Sequence, residues 1–399
     1  MFCCAIIGST ENTSERDQMS SLQQLWKFGQ SVWLDNLTRE MLHNGELIRR
    51  VETEGVRGVT SNPAIFHKAI TKGKDYDEDI AQFASAGLGV TEIYDRLTIT
   101  DIRDACDILH GVWTTSNGLD GYVSLEVSPH LANDTQGTLH EACRLYEAVD
   151  RDNVLIKIPG TPAGVPAIRQ AIYEGVNVNV TLLFSIEAYE AVADAYIEAL
   201  EQRLEAGRRV DDMASVASFF LSRIDSLTDA KLHNLPDKPE AHISYWAAEE
   251  LESLLGEAAV ANAKLAYQSF ETRIKSDRWG TLAAEGATPQ RMLWASTSTK
   301  NPAYPDTKYV EPLIGDLTIN TMPEQTMAAF LDHGVVRDTV REDADKAKEV
   351  MQRLSEVGIE FDALTNQLLD EGLEKFVTPF DRLIDSLEER ALLLSRQTA

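Results

Sequence analysis

Lys157 lies inside Val154-Leu155-Ile156-Lys157-Ile158-Pro159-Gly160, an amine set in the middle of an aliphatic, β-branched run closed by Pro-Gly. Such a run reads as a strand buried on both faces. Burial disfavours an ammonium, and a neutral lysine amine is the nucleophile that attacks a carbonyl to form an imine. The competing reading is a lysine that snorkels to solvent at a sheet edge. Other polar residues stand where neighbouring apolar runs end. Asp35 closes Ser31-Val32-Trp33-Leu34-Asp35-Asn36 and could equally cap the helix that follows. Asn62, before Pro63, could serve a turn or a ligand. Glu126 is a lone carboxylate between Leu125 and Val127, which burial requires to be paired or protonated.

Further along, Asn177, Asn179 and Thr181 alternate with aliphatic residues and so share one face of a strand. Ser218-Phe219-Phe220-Leu221-Ser222-Arg223 joins a strand end to a helix start, where free N–H groups and a guanidinium suit phosphate; an Arg223–Asp225 ion pair is the alternative. Taken singly, each of these residues is explained by a cap, a turn or a satisfied buried hydrogen bond. Together, a desolvated lysine, two carboxylates, amides and a hydroxyl suit imine chemistry on a polyhydroxylated carbonyl compound.

These residues need a scaffold that brings strand ends together. Eight strand-like runs, Val32–Asp35, Arg57–Ser61, Tyr122–Val127, Val154–Ile158, Val176–Leu183, Ala214–Phe220, Arg291–Ser296 and Leu317–Ile319, alternate with segments that can be helical. That alternation predicts an α/β protein, a (β/α)8 TIM barrel with additional helices, whose chemistry sits at the carboxyl ends of the strands. The runner-up, an open doubly wound sheet, lacks its usual G-x-G-x-x-G or G-x-x-x-x-G-K-[ST] marker. Residues 240–275 read as a helical insertion. Ala347, Val350, Met351 and Leu354, then Leu364, Leu368 and Leu369, predict amphipathic C-terminal helices. No linker composition divides the chain, so residues 1–20 are expected to be a disordered leader, with Met19 an alternative start, and residues 21–399 a single barrel domain.

The chain has 399 residues, 43% of them hydrophobic, and 37 basic against 64 acidic side chains give it a net charge of −27. That balance argues against nucleic-acid or anionic-membrane partners, and no apolar stretch is long enough to span a bilayer. Cys3, Cys4, Cys106 and Cys143 have neither zinc spacing nor a disulfide pattern, which fits the cytoplasm. No H-E-x-x-H or H-x-H spacing supports a metal site, no G-x-S-x-G elbow supports a hydrolase triad, and no cofactor is expected.

From about Leu25 to about Pro323 the chain resembles the transaldolase family, in its longer bacterial branch. Three motifs carry the resemblance: Gly58-Val59-Thr60-Ser61-Asn62-Pro63, Leu155-Ile156-Lys157-Ile158-Pro159-Gly160-Thr161 and Asn179-Val180-Thr181-Leu182-Leu183-Phe184-Ser185. Trp33-Leu34-Asp35-Asn36, Ala295-Ser296-Thr297 and Asn320-Thr321-Met322-Pro323 are similar to that branch as well. The resemblance implies a metal-free class I reaction of the pentose phosphate pathway. A dihydroxyacetone unit moves from a ketose phosphate to an aldose phosphate, as in sedoheptulose 7-phosphate plus glyceraldehyde 3-phosphate giving erythrose 4-phosphate and fructose 6-phosphate.

It implies that Lys157 forms the Schiff base, that Asp35 takes the proton of the C4 hydroxyl, and that Glu126 works with a water positioned by Thr181. Asn62 and Asn179 would bind substrate hydroxyls, Ser218 and Arg223 phosphate, and Phe220 would line the pocket. Ser61 and Ala64 depart from the Thr and Ser usual around the asparagine. A second phosphate-binding arginine has no clear counterpart, which leaves Lys300 as its substitute. Within the resemblance the alternative is a fructose 6-phosphate aldolase that releases free dihydroxyacetone; outside enzymes, it is a sugar-phosphate sensor. Monomer and homodimer both remain open.

Overall fold

The computed structural model describes residues 19–235 and 248–398. Eight parallel strands close a barrel in sequence order: β1 (Gln30–Leu34), β2 (Val56–Thr60), β3 (Tyr122–Glu126), β4 (Val154–Pro159), β5 (Val178–Leu183), β6 (Ser215–Phe220), β7 (Arg291–Ala295) and β8 (Thr318–Met322). Each expected strand is present, with shifted ends. β1 stops at Leu34, although the Asp35 N–H continues the ladder by donating to the Met322 carbonyl at 2.9 Å. Val176 and Asn177 precede β5, and β8 runs on through Asn320, Thr321 and Met322 because Thr321 meets Thr60 inside the barrel and Asn320 donates to the Tyr309 carbonyl in the loop before β8.

The expected leader to residue 18 lies outside the described residues, as do Cys3, Cys4 and positions 240–247 of the expected helical insertion. Ser20 caps a helix rather than continuing a leader, since its hydroxyl accepts from the Gln23 N–H at 3.1 Å.

The helices that bear on the site are α1 (Pro63–Lys72), α2 (Val90–Thr115), α3 (Thr135–Val149), α4 (Gly164–Glu174), α5 (Ile186–Glu205), α6 (Ser222–His233), α7 (Ala258–Ile274), α8 (Glu324–His333), α9 (Ala344–Glu356) and α10 (Phe361–Thr398). Within the expected insertion, α7 packs against α5 and α9. Ala347, Val350, Leu354, Leu364 and Leu368 are buried as their periodicity requires, with Met351 and Leu369 packed beside them. The long α10 crosses the strand ends and touches α1, α2, α6 and β5. Gly372 permits that approach, because a Cβ there would stand 3.0 Å from Leu182 Cδ2.

The amino-terminal end of the barrel is closed by ionic groups. Asp120, fully buried, accepts from Ser31 Oγ at 2.7 Å, Arg57 Nε at 2.9 Å, Arg291 Nη1 at 3.1 Å and Trp33 Nε1 at 3.2 Å. A carboxylate so enclosed is tolerable only with several donors around it. Above this plug the Trp33 indole lies across Gly58, where a Cβ would meet ring atoms at 2.5 Å, so β2 can pass Trp33 only with glycine at that position.

Candidate active site

At the carboxyl end of the barrel, strand register sets the candidate groups side by side: Glu126 pairs with Lys157, Lys157 with Asn179, and Pro159 with Thr181. The Lys157 amine is buried, donates to the Ser61 carbonyl at 3.1 Å, and lies 3.5 Å from Glu126 Oε2. It does not snorkel, because β4 has neighbours on both sides in a closed barrel. Burial pushes the Glu126 pKa upward and the Asp35 charge adds to this, while Lys157 pulls it down.

A cavity of about 210 Å³ opens beside the amine, lined by Asp35, Asn62, Thr181, Ser218, Phe220, Arg223 and Lys300 among others. Every expected site residue except Glu126 and Asn179 borders it. Glu126 instead borders a separate, larger cleft of about 780 Å³ between α2, α3 and α10. The smaller cavity is the candidate site because the lysine, Asp35 and two further cationic side chains converge on it; the larger cleft is lined by carboxylates and no lysine, and its arginine, Arg144, is paired with Asp95 and Glu141.

Asp35 does not cap a helix; Thr38 does, accepting from the Met41 N–H at 3.2 Å. Asp35 accepts from the Thr60 hydroxyl at 2.8 Å, and Thr60 and Thr321 are joined hydroxyl to hydroxyl at 2.7 Å. Desolvation raises the Asp35 pKa, opposed by the Thr60 hydrogen bond and by the Lys157 and Lys300 charges. Asn62 does cap α1, its side-chain oxygen accepting from the Ile65 N–H at 3.0 Å, which leaves its NH2 end to face the cavity's contents. Asn179 is fixed at both ends: its NH2 donates to Ser124 Oγ at 3.0 Å and its oxygen accepts from Ser218 Oγ at 2.7 Å.

Ser218 therefore orients Asn179 with its only O–H. Asn177 stands apart from the site just before β5, bonded to the Asp152 carbonyl and the Ala214 N–H. Thr181 Oγ1 and Glu126 Oε1 are buried without a hydrogen-bond partner among the described residues. A shift of register after Val180, with Leu182 at φ 62°, bends β5 beside Thr181.

Arg223 does not pair with Asp225. Two residues apart on α6 they face different ways, and Asp225 instead accepts from the Ala259 N–H at 2.7 Å and from Tyr309 Oη at 2.9 Å, its pKa pushed up to about 6 mainly by burial. Arg223 Nη1 is buried without a partner among the described residues, and its guanidinium lies 5.3 Å from the Phe220 ring centre. The Lys300 amine contacts Ser298 Oγ, and its pKa is lowered by burial and by the Arg223 charge. Ser296, at φ 56°, holds Ser222 Oγ at 2.9 Å. Arg223, Ser296, Ser298 and Lys300 thus form a cationic, hydroxyl-rich end of the cavity suited to a phosphate.

Sequence reasoning missed Thr60, Thr321, Ser296, Ser298 and Phe376 as cavity residues. The first four sit within or beside segments already singled out for the resemblance. Phe376 carried no signal, since it arrives from α10, far along the chain. Among the described residues no group of three or more His, Cys, Asp or Glu stands close enough to hold a metal.

The family model described as Transaldolase/Fructose-6-phosphate aldolase matches residues 32–387. The chain belongs to this transaldolase/fructose-6-phosphate aldolase family. It is 50% identical over 380 residues to the transaldolase of Trichodesmium erythraeum, covering 94% of this chain and 98% of the relative. Transaldolase 2 of Nostoc punctiforme is 48% identical over the same shares of the two chains. The transaldolase of Thiobacillus denitrificans is 44% identical, covering 92% of this chain and 99% of its own. The family match spans all eight strands from Val32 onward and most of α10, so both the barrel and the helix across its mouth belong to the transaldolase/fructose-6-phosphate aldolase pattern.

Proposed function

We propose that the protein is a transaldolase acting on sugar phosphates in the cytoplasm, through a Schiff base on Lys157 and with residues 21–399 working as one catalytic domain. The observation that carries this reading is the buried Lys157 amine, 3.5 Å from Glu126 and opening on the same cavity as Asp35. The amine attacks C2 of the ketose phosphate. Glu126, whose raised pKa suits it to holding and releasing a proton, moves protons as the carbinolamine loses water. Thr181 Oγ1 and Glu126 Oε1, both lacking a protein partner, are the groups that can hold that water.

The protonated imine is an electron sink for the C3–C4 bond, and Asp35 takes the proton of the C4 hydroxyl as that bond breaks. The leaving aldose phosphate departs with Asp35's proton still to be returned to solvent or to the acceptor. Asn179, held by Ser124 and Ser218, and the NH2 end of Asn62 keep the dihydroxyacetone unit in place. Arg223 and Lys300 bind the phosphate, with Phe220 stacked against the guanidinium. An aldose phosphate acceptor then reverses the steps.

Incubation with fructose 6-phosphate and borohydride tests the site. A dihydroxyacetone-derived mass on the Lys157 peptide, absent from Lys157→Ala, is expected; a sugar-phosphate sensor would give none. Turnover that is no faster with an acceptor aldose phosphate than without it would convert the reading to a fructose 6-phosphate aldolase.

A further inference from the structure

We propose that Phe376, on α10, is the residue that makes the dihydroxyacetone intermediate wait for an acceptor instead of being hydrolysed. This rests on the imine chemistry proposed for Lys157. The apolar members of the cavity lining are Phe220, Ala295, Pro323 and Phe376. The two aromatic rings divide the cavity between them: Phe220 lies against Arg223 at the phosphate end, and the Phe376 ring centre lies 5.6 Å from the Lys157 amine. Phe376 is 7% exposed, so it is a wall of the site and not a surface group.

Its position is fixed from both sides. One turn earlier, Gly372 brings the helix against Leu182 at the bend of β5. One turn later, the Phe380 ring meets Tyr94 edge-on at 5.5 Å and His130 at 5.8 Å, and Asp381 accepts from the His130 ring at 2.7 Å. Pro379 stands between these anchors and removes one backbone N–H from the helix, so packing, more than the helix's own hydrogen bonds, holds this turn in register.

The chemistry needs such a wall. Hydrolysis of the enamine takes one water: the enamine carbon gains a proton, water adds to C2 of the iminium, and the carbinolamine C–N bond breaks to give dihydroxyacetone and the free amine. Transfer uses the same enamine carbon against an aldehyde. The two outcomes compete, and the ring beside the nitrogen favours transfer by keeping bulk water off the intermediate while its face stabilises the iminium charge.

The readout is the ratio of free dihydroxyacetone to transfer product at fixed acceptor concentration in Phe376→Ala and Phe376→Leu. We expect the ratio to rise about tenfold or more in the alanine variant, with leucine intermediate, while borohydride still labels Lys157. A role limited to supporting the fold would slow both products in proportion, and an unchanged ratio in the variants that fold overturns the proposal. Leucine keeps most of the buried volume, so the comparison survives if alanine unfolds the helix. Absence of Lys157 labelling in the unsubstituted protein would instead defeat the imine mechanism itself.

Discussion

The Thr60 hydroxyl donates to Asp35 Oδ1 at 2.8 Å, from β2 to the residue that follows β1. A hydrogen bond to the ionised form lowers a carboxyl pKa, so Thr60 partly offsets the desolvation that raises it. Asp35 must be ionised to act as a base, and activity is therefore expected to fall as pH drops through its raised pKa. Thr60→Val removes the offset and should move that acid limb to still higher pH in a kcat/KM profile of ketose phosphate cleavage.

Exchange of the two carboxylates for amides should separate the steps. Glu126→Gln is expected to slow imine formation and hydrolysis by about 10²–10⁴-fold, and Asp35→Asn to slow C3–C4 cleavage by a similar factor. Rapid-quench borohydride trapping distinguishes them, since Asp35→Asn should still accumulate trappable ketose phosphate on Lys157. Full-rate turnover in either variant removes the assigned role.

Stability should move the other way. The folded-state pKa values of Asp35 and Glu126 lie above their unfolded ones, so the folded chain binds more protons between the two values and its stability falls as pH rises through that window. Glu126→Gln is expected to raise the melting temperature at pH 7 and to lose that advantage as pH approaches 4. A melting temperature lowered equally at both pH values would contradict this.

At the cationic end, Arg223→Ala should raise KM for a ketose phosphate by about 10–100-fold, as expected for loss of a charge-assisted hydrogen bond worth about 1.5–3 kcal/mol, and Lys300→Ala by less. Neither should change kcat for dihydroxyacetone transfer from an unphosphorylated ketose in the same proportion. The loss of salt dependence in KM provides a second measurement.

Breaking the plug at the opposite end tests packing without chemistry. Asp120→Ala leaves Arg57 and Arg291 facing each other and is expected to cost about 3–5 kcal/mol in denaturant unfolding, with kcat unchanged in the protein that remains folded.

How much of this was legible in the sequence depends on chain distance. Lys157 and Glu126 could be read as odd residues in otherwise aliphatic runs, and the barrel follows from eight such runs in alternation with helices. Register then brings them together without further information. The ends of strands were less legible, because Asn320 and Thr321 resemble a turn until the preceding loop supplies the Tyr309 carbonyl and β2 supplies Thr60 as partners. Arg223 and Asp225 look like a pair by proximity, and only the start of α7, which needs a cap, draws Asp225 away. Asp120 sits in a plain loop, and nothing local announces that two arginines, one of them some 170 residues later, converge on it.

α10 follows every strand of the barrel in the chain. During synthesis the eight strands, Lys157 among them, leave the ribosome before residue 376 does, so the ring proposed to shield the amine is the last part of the site to be made. Shielding of the amine is thus also a matter of the order in which the chain is made.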